Sequence, residues 1–236
     1  MIIPKDLDTQ IQNAINTFWA KRENQTQNQA TKGTHDQGNR SAVTGGKQLD
    51  GIVNLLKDLL ILNGVNDSDI YTNSNLELPG YYRANKKWDL LVVHNNKLIV
   101  AIELKSQVGP SFGNNFNNRT EEAMGSALDI WTAYREGAFG KSEPWVGYLM
   151  LLEDCSGSTS IVSTRSPHFK TFKEFNNTSY KDRYRIFCTK LKLERQYNST
   201  CFMTTSKDAK YDCPDEELSI QAFVKSMLAQ IEAQYK

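Results

Sequence analysis

Two apolar runs joined by a short polar turn constrain the fold of this chain more than any other feature of its sequence. The runs KKWDLLVV and KLIVAIELKSQ meet at residues 94–97, where Asn95 and Asn96 tolerate positive φ and favour a tight hairpin. A third run, WVGYLMLLE over Trp145–Glu153, is apolar almost throughout and predicts a central strand buried on both faces. The chain is therefore expected to build its core around a sheet that contains these strands.

Amphipathic segments on both sides of these strands predict helices. Apolar residues recur at helical spacing over residues 5–22, 47–62 and 220–231. Asn118 stands three residues before Glu121, a capping-box pattern that predicts the start of another helix. The expected packed face of that helix comprises Met124, Ala127, Leu128, Trp131 and Tyr134. Helices and strands in this order predict an α/β sandwich, a central mixed β-sheet flanked by helices.

Length and composition indicate a single domain over residues 1–236. With 39% hydrophobic and 23% charged residues, the chain can form one full core, and no apolar run is long enough to cross a membrane. Residues 23–46 predict a polar arm, and residues 165–236 predict a basic, mainly helical C-terminal part. Short strands are expected near residues 76–78 and 161–163. The scattered cysteines and the lack of a secretory signal favour a reduced, cytoplasmic protein.

Three polar residues interrupt the apolar pattern of the hairpin. Asp89 precedes the first apolar run, and Glu103 and Lys105 share one face of the second strand because successive side chains alternate between faces. Carboxylate oxygens are the ligands that Mg²⁺ prefers, and a lysine beside the metal can orient an attacking water. The spacing resembles the PD-(D/E)xK nuclease motif, with Trp88 in place of the usual proline. The same spacing also fits a structural cross-strand ion pair.

In the nuclease interpretation these three polar residues are catalytic. Mg²⁺ would be bound by Asp89 and Glu103, together with the Leu104 carbonyl. Related nucleases often place one more carboxylate on a preceding element, and Asp50 and Glu77 are the candidates for that role. Each of these two side chains also fits an ordinary surface charge.

Charge distribution and one polar segment predict a nucleic-acid ligand. The net charge is only +1, but residues 165–210 carry eleven Lys or Arg against four Asp or Glu, a balance of +7. Segregated positive charge attracts phosphate backbones, although a solvated lysine-rich surface explains it equally well. The segment QVGPSFGNNFNNRTEEA holds Asn and Arg side chains, which can pair with base edges, unless the asparagines only form turns or caps. The candidate DNA-binding residues are Arg40, Asn114, Asn115, Asn117, Asn118 and Arg119.

Longer runs of sequence resemble one family of restriction enzymes. The runs NRSAVTGGKQLDG, NLELPGYYR, KWDLLVV, ELKSQVGPSFGNNFNNRTEEAMGSA and WTAYREGAF are similar to those of the XhoI-type restriction endonucleases, and the similarity spans most of residues 39–154. The resemblance implies a type II enzyme that acts as a homodimer with Mg²⁺. It also implies cleavage of the palindrome CTCGAG in double-stranded DNA after the first cytosine, which leaves 5′-phosphate ends. A companion DNA methyltransferase would act separately.

Two other functions remain compatible with the residues. A structure-selective repair or recombination nuclease would share Asp89, Glu103 and Lys105 but would not need a segment dense in Asn and Arg. A non-catalytic DNA-binding protein would keep the hairpin without needing its acidic and lysine residues. A Mg²⁺-dependent cleavage assay on plasmid DNA separates the three functions.

Overall fold

A six-stranded mixed sheet forms the centre of the computed structural model, which describes residues 1–31 and 46–235. The helices are α1 (Leu7–Thr31), α2 (Asp50–Leu62), α3 (Phe112–Arg135), α4 (Ser156–Thr159), α5 (Tyr180–Leu193) and α6 (Ile220–Gln234). The strands are β1 (Ile70–Tyr71), β2 (Glu77–Pro79), β3 (Asn85–Lys87), β4 (Leu90–His94), β5 (Lys97–Gln107), β6 (Trp145–Glu153), β7 (Ser199–Thr205) and β8 (Tyr211–Asp212). The large sheet has the order β1-β4-β5-β6-β7-β8, and β2 pairs with β3 separately.

The hairpin and the buried strand form as the sequence predicts. Strands β4 and β5 are antiparallel neighbours, and Asn95 and Asn96 in their turn have φ values of 50° and 58°. Strand β6 lies parallel between β5 and β7, and all nine of its residues are buried. A central position in a mixed sheet explains the continuous apolar run, because both faces of the strand are covered.

Two apolar layers cover the two faces of the large sheet. One core joins α1, α2 and α6 to residues such as Val100, Ile102 and Leu104 of β5. The other core joins α3 and α5 to the opposite face, where Ala101 of β5 lies. Because side chains alternate along a strand, Glu103 follows Ala101 onto the α3 and α5 side. The predicted α/β sandwich with a central mixed sheet is confirmed.

Several predicted elements differ from the observed ones. Helix α1 continues to Thr31, so the first nine residues of the predicted polar arm are helical, and residues 32–45 lie outside the described part of the chain. The C-terminal part contains helices α5 and α6, but it also contributes the unpredicted strands β7 and β8 to the sheet. Residues 161–163 form no strand. Residues 77–79 do form a strand, but it belongs to the small sheet.

Helix α3 begins earlier than the capping pattern predicts. Its N-cap is Ser111, so Asn118 lies in the second turn of the helix and does not cap it. The buried Gln107 side chain donates to the Phe112 carbonyl at 3.0 Å and accepts from the Tyr184 hydroxyl. These contacts join the end of β5 to the first turn of α3 and to α5. The start of α3 is therefore set by tertiary contacts rather than by a local cap.

The prediction of which residues of α3 are packed is also partly wrong. Met124 and Leu128 are 44% and 54% exposed, whereas Ala123, Ile130 and Ala133 are buried. Ala127 is buried as expected, and Trp131 and Tyr134 are only partly buried. The buried face of the helix is narrower and built of smaller side chains than the sequence pattern indicates, and it leaves an exposed apolar strip.

Candidate active site

Asp89 is attached to strand β5 through both its backbone and its side chain. The Asp89 N–H donates to the Ile102 carbonyl at 3.1 Å, which continues the pairing of β4 with β5. Its Oδ2 accepts the Leu104 N–H at 2.7 Å. The carboxylate is therefore held beside the backbone between Glu103 and Lys105, the two other predicted catalytic residues.

Glu103 is a buried carboxylate that two lysines share. Lys105 Nζ lies 2.9 Å and Lys86 Nζ 3.2 Å from the same oxygen, Glu103 Oε1. The Tyr197 hydroxyl donates to the Ala123 carbonyl at 2.9 Å and lies 3.4 Å from Glu103 Oε2. Burial opposes the charge on Glu103, but Lys105 and Lys86 outweigh it and hold the pKa of the carboxyl below its usual range.

The pKa values of Asp89 and Lys105 are both raised, for opposite reasons. Burial raises the pKa of Asp89 and outweighs both the Leu104 N–H and the charge of Lys105, which favour the carboxylate. Burial opposes the charge of Lys105, but the Glu103 carboxylate outweighs it and raises the lysine pKa. Lys105 is consequently an ammonium at neutral pH. It can donate hydrogen bonds and neutralise negative charge, but it is not available as a base.

A cavity next to these residues opens toward solvent. Asp89, Leu104 and Lys105 line it, whereas Glu103 lies behind Lys105 and is not part of its surface. Residues of α1, α2, α3 and the segment just before α2 complete the wall, and those with polar side chains are Arg22, Gln48, Asn115 and Arg119. The Arg22 guanidinium donates to Gln48 Oε1 at 2.8 Å. The cavity thus has one carboxylate, one backbone segment of β5 and several cationic or amide groups at its surface.

The two further carboxylates proposed as metal ligands lie elsewhere. Asp50 Oδ2 accepts from Lys21 Nζ at 2.7 Å, and Glu77 is an exposed residue of β2 that pairs across the small sheet with Lys87. Neither of them lines the cavity. Among the described residues, no group of three or more His, Cys, Asp or Glu side chains is arranged to hold a metal ion. Asp50 and Glu77 are therefore not brought to the site.

The predicted DNA-binding residues divide between two positions on α3. Asn115 and Arg119, one helical turn apart, line the cavity, whereas Asn114, Asn117 and Asn118 are exposed. Arg40 lies outside the described residues. All five described candidates are helical, so the asparagines do not form the tight turns that the composition also allowed.

Only some of the hydrogen-bond donors of the Arg119 guanidinium have a partner among the described residues. Its Nη1 lies 2.8 Å from Glu122 Oε2, and Glu122 Oε2 in turn lies 3.8 Å from Lys105 Nζ. Within the described part of the chain, the buried Arg119 Nε has no hydrogen-bond partner. A guanidinium in this position can bind an anion that enters the cavity.

The sequence interpretation missed Lys86, Gln48 and Glu122. Lys86 precedes Trp88 by two residues, and its ammonium stacks over the Trp88 ring at 4.1 Å from the centroid. Side chains alternate along β3, and Lys86 is on the face that is directed toward Glu103 of the large sheet. The alternating pattern of KKW is visible in the sequence. Gln48 lines the cavity and stands two residues before Asp50, the predicted metal ligand, which does not line it. Glu122 had no local signal, because only the packing of α3 brings it near Lys105.

Part of the positive charge between residues 165 and 210 is paired with carboxylates from outside this stretch. Lys181 pairs with Asp154 at 2.8 Å, and Lys192 pairs with Glu217 at 3.7 Å. The local surplus of positive charge is therefore partly neutralised within the protein. The cationic groups nearest to Asp89 come from other parts of the chain.

Comparison with known proteins identifies close relatives of this sequence. The model of the family described as Restriction endonuclease XhoI matches residues 28–215. Type II restriction enzyme BstVI from Geobacillus stearothermophilus is 51% identical over 206 residues, which cover 83% of this chain and 92% of the relative. Type II restriction enzyme XhoI from Xanthomonas vasicola is 46% identical over 180 residues, with 75% and 72% of the two chains covered. Type II restriction enzyme AbrI from Azospirillum brasilense is 48% identical over 167 residues, with 70% and 75% covered.

No solved structure matches the chain. In the described part of the chain, none of the helices is both long and apolar enough to span a membrane.

Proposed function

Given that this chain belongs to the XhoI family of type II restriction endonucleases, we propose that it hydrolyses double-stranded DNA at the palindrome CTCGAG with Mg²⁺ as cofactor. Site-specific cleavage of DNA is the activity of the family. The observation that supports the chemistry is the cavity in which Asp89 and Lys105 lie side by side, with Glu103 directly behind the lysine. The products would carry 5′-phosphate ends.

Asp89 and Leu104 at the cavity surface, with Glu103 behind Lys105, fit a magnesium site with few protein ligands. Asp89, Glu103 and the Leu104 carbonyl would hold the ion, and water and a phosphate oxygen would fill the remaining positions. Burial destabilises the charged form of Asp89, so a nearby cation would relieve an existing cost. A divalent ion at Glu103 would have to compete with Lys86 and Lys105. When bound, Mg²⁺ would stabilise the charge that builds up on the scissile phosphate and on the leaving oxygen.

Lys105 would act as a charged donor throughout the reaction. Its ammonium stays protonated beside Glu103, so it can hold a water molecule in line with the phosphorus and neutralise a phosphate oxygen. Glu103 would position Lys105 through the 2.9 Å contact with Nζ. Removal of the lysine side chain should therefore slow the chemical step more than the binding of DNA.

Residues of α3 would divide the recognition of DNA between phosphate and bases. Arg119 lies inside the cavity, and its Nε has no partner among the described residues, which favours a contact to the phosphate near the cleaved bond. Asn114, Asn117 and Asn118 are exposed on the same helix and could reach base edges in a groove. Cleavage of both strands of a palindrome would require two copies of the chain related by a two-fold axis. The protein would act in the prokaryotic cytoplasm, and a separate methyltransferase would protect the host DNA.

The decisive experiment is a digest of one plasmid of known sequence, with and without Mg²⁺, followed by mapping of the ends. Cleavage confined to CTCGAG, with 5′-phosphate overhangs, is the expected result. Cleavage without sequence preference, or preference for branched DNA, would overturn the proposal in favour of a repair nuclease. Lys105→Ala should abolish cleavage, whereas Lys97→Ala, which alters an exposed lysine of the same strand, should retain it.

A further inference from the structure

The turn between β2 and β3 presents two aromatic side chains to solvent. Tyr81 and Tyr82 are 56% and 67% exposed, and their rings meet edge to face with centroids 5.6 Å apart. Turns in this position normally carry small polar residues. Two adjacent exposed aromatic rings therefore need a reason other than packing within the chain.

A buried carboxylate holds this turn in one conformation. Asp129 of α3 is 3% exposed and accepts from the Tyr81 N–H at 2.6 Å, the Tyr82 N–H at 2.9 Å and Arg83 Nε at 2.7 Å. Burial opposes its charge, but these donors outweigh burial and hold the pKa of Asp129 below its usual range. Gly80 fits this arrangement closely, because a Cβ there would meet Asp129 Oδ2 at 2.4 Å. The backbone of the two tyrosines is thus fixed although their rings are exposed.

The same hairpin also reaches the catalytic carboxylate. Lys86, on β3, contacts Glu103 Oε1, so the strand that leaves the turn ends at the active site. Tyr82 and Arg83 line a surface depression together with Glu122, whose Oε2 lies 2.8 Å from Arg119 Nη1 and 3.8 Å from Lys105 Nζ. Glu122 therefore lines the depression at the turn and also contacts cationic groups of the cavity.

We propose that Tyr81 and Tyr82 contact the DNA duplex and pack in a groove against the nucleotides next to the scissile phosphate. This inference rests on the proposed function, because it takes the occupant of the cavity to be DNA. Aromatic rings held on a rigid turn can pack on sugars and bases with little loss of conformational entropy. Arg83, Lys105 and Arg119 are each paired with a carboxylate of the protein, so the contact at the turn would be made by the two rings rather than by unpaired cations. The turn would align the duplex so that the phosphate enters the cavity.

Binding of a labelled CTCGAG duplex, measured by fluorescence anisotropy with Ca²⁺ in place of Mg²⁺, tests the proposal. Tyr81→Ala and Tyr82→Ala should each weaken binding by about tenfold, the effect expected when a well-packed aromatic side chain is removed from an interface. Tyr81→Phe and Tyr82→Phe should stay within about twofold of the wild type because the ring is kept. Leu62→Ala is the matched control, since this side chain is 45% exposed at the end of α2 and does not line the cavity.

A second measurement uses the unaltered protein and does not depend on how the variants fold. Photocrosslinking to duplexes with 5-iodouracil near the cleavage site should give adducts that map to residues 81–83. If the wild type cuts CTCGAG but crosslinks form elsewhere and both alanine variants bind normally, the inference is wrong while the proposed function stands. A wild-type protein that neither binds nor cuts the duplex overturns both.

Discussion

At the scale of single residues, the two carboxylates of the site occupy opposite electrostatic environments. Asp89 is partly buried and has its pKa raised by burial, whereas Glu103 is fully buried yet kept charged by two ammonium groups. Removal of the negative charge should therefore have opposite effects on stability at Asp89 and at Glu103. Substitution by the uncharged amide separates the two effects, because the shape of the side chain is retained.

Asp89→Asn should abolish cleavage and raise the melting temperature at neutral pH. The folded-state pKa of Asp89 lies above its unfolded value, so stability falls as the pH rises from the unfolded to the folded pKa, and the full penalty is present above the folded pKa. The higher melting temperature of the variant should therefore be present at pH 7 and disappear below the pKa of an aspartate in the unfolded chain, about 3.9. Thermal melting of both proteins across this range checks the prediction. A variant that melts below the wild type at pH 7 would contradict it.

Glu103→Gln should abolish cleavage and destabilise the fold. The substitution leaves the ammonium groups of Lys86 and Lys105 side by side without their shared carboxylate. Loss of one partner from a buried ion pair costs about 3 kcal/mol or more, and urea denaturation measures that difference. Glu77→Gln, which alters an exposed glutamate of β2, is the control and should leave stability unchanged. Equal stability of the Glu103→Gln variant and the wild type would mean that the two lysines do not depend on this carboxylate.

At the scale of secondary structure, α3 is the element that joins the cavity to its surroundings. Its first two turns hold Asn115 and Arg119 in the cavity wall, and Asp129 further along anchors the turn between β2 and β3. Contacts of Gln107 with Phe112 and Tyr184 fix the start of the helix relative to β5. The register of α3 against β5 therefore decides which of its polar residues line the cavity.

Substitutions on α3 should separate phosphate contacts from base contacts. Arg119→Ala is expected to reduce cleavage by a similar factor on all DNA sequences, because its guanidinium lies in the cavity with Asp89 and Lys105. The double variant Asn114→Ala and Asn118→Ala should instead reduce discrimination against single-base changes by about 1–3 kcal/mol for each base that is no longer read. Cleavage rates on CTCGAG and on duplexes with one altered base pair measure both effects. Asn54→Ala, an exposed asparagine of α2, is the control.

At the scale of the whole molecule, the exposed apolar strip of α3, formed by Met124 and Leu128, is a candidate contact surface between two copies of the chain. Met124 and Leu128 are exposed, and the partly buried Trp131 lines the same surface depression. A homodimer would need an interface of this apolar kind, and α3 would then connect that interface to the cavity. The strip is consequently the first surface to examine for contact between two copies.

The protein should be a dimer in solution, with twice the 26.8 kDa mass of one chain by light scattering. Leu128→Glu should shift the protein toward the single-chain mass, because a charge at the centre of an apolar interface is costly to bury. Leu62→Glu introduces the same charge at another exposed leucine and should remain dimeric. A wild type with the mass of one chain at micromolar concentration would rule out a stable dimer.

The sequence predicted the elements whose signal is local. The asparagine turn, the alternation of Glu103 with Lys105 and the apolar run of β6 each depend on neighbouring residues alone, and all three are observed. Strand β7, with the sequence STCFMTT, was missed because its serine and threonines give no apolar pattern. Its burial comes from pairing between β6 and β8, which no local pattern reveals.

What the sequence by itself determined was the chemistry available at the hairpin and the family of the chain, since both depend on residue types at fixed spacing. Only the tertiary structure decided that Lys86 shares Glu103, that Asp50 and Glu77 stay away from the cavity, and that α3 starts at Phe112. The physical reason is that these features depend on contacts between elements far apart along the chain. Burial then shifts the pKa of each group according to neighbours that the sequence alone does not place.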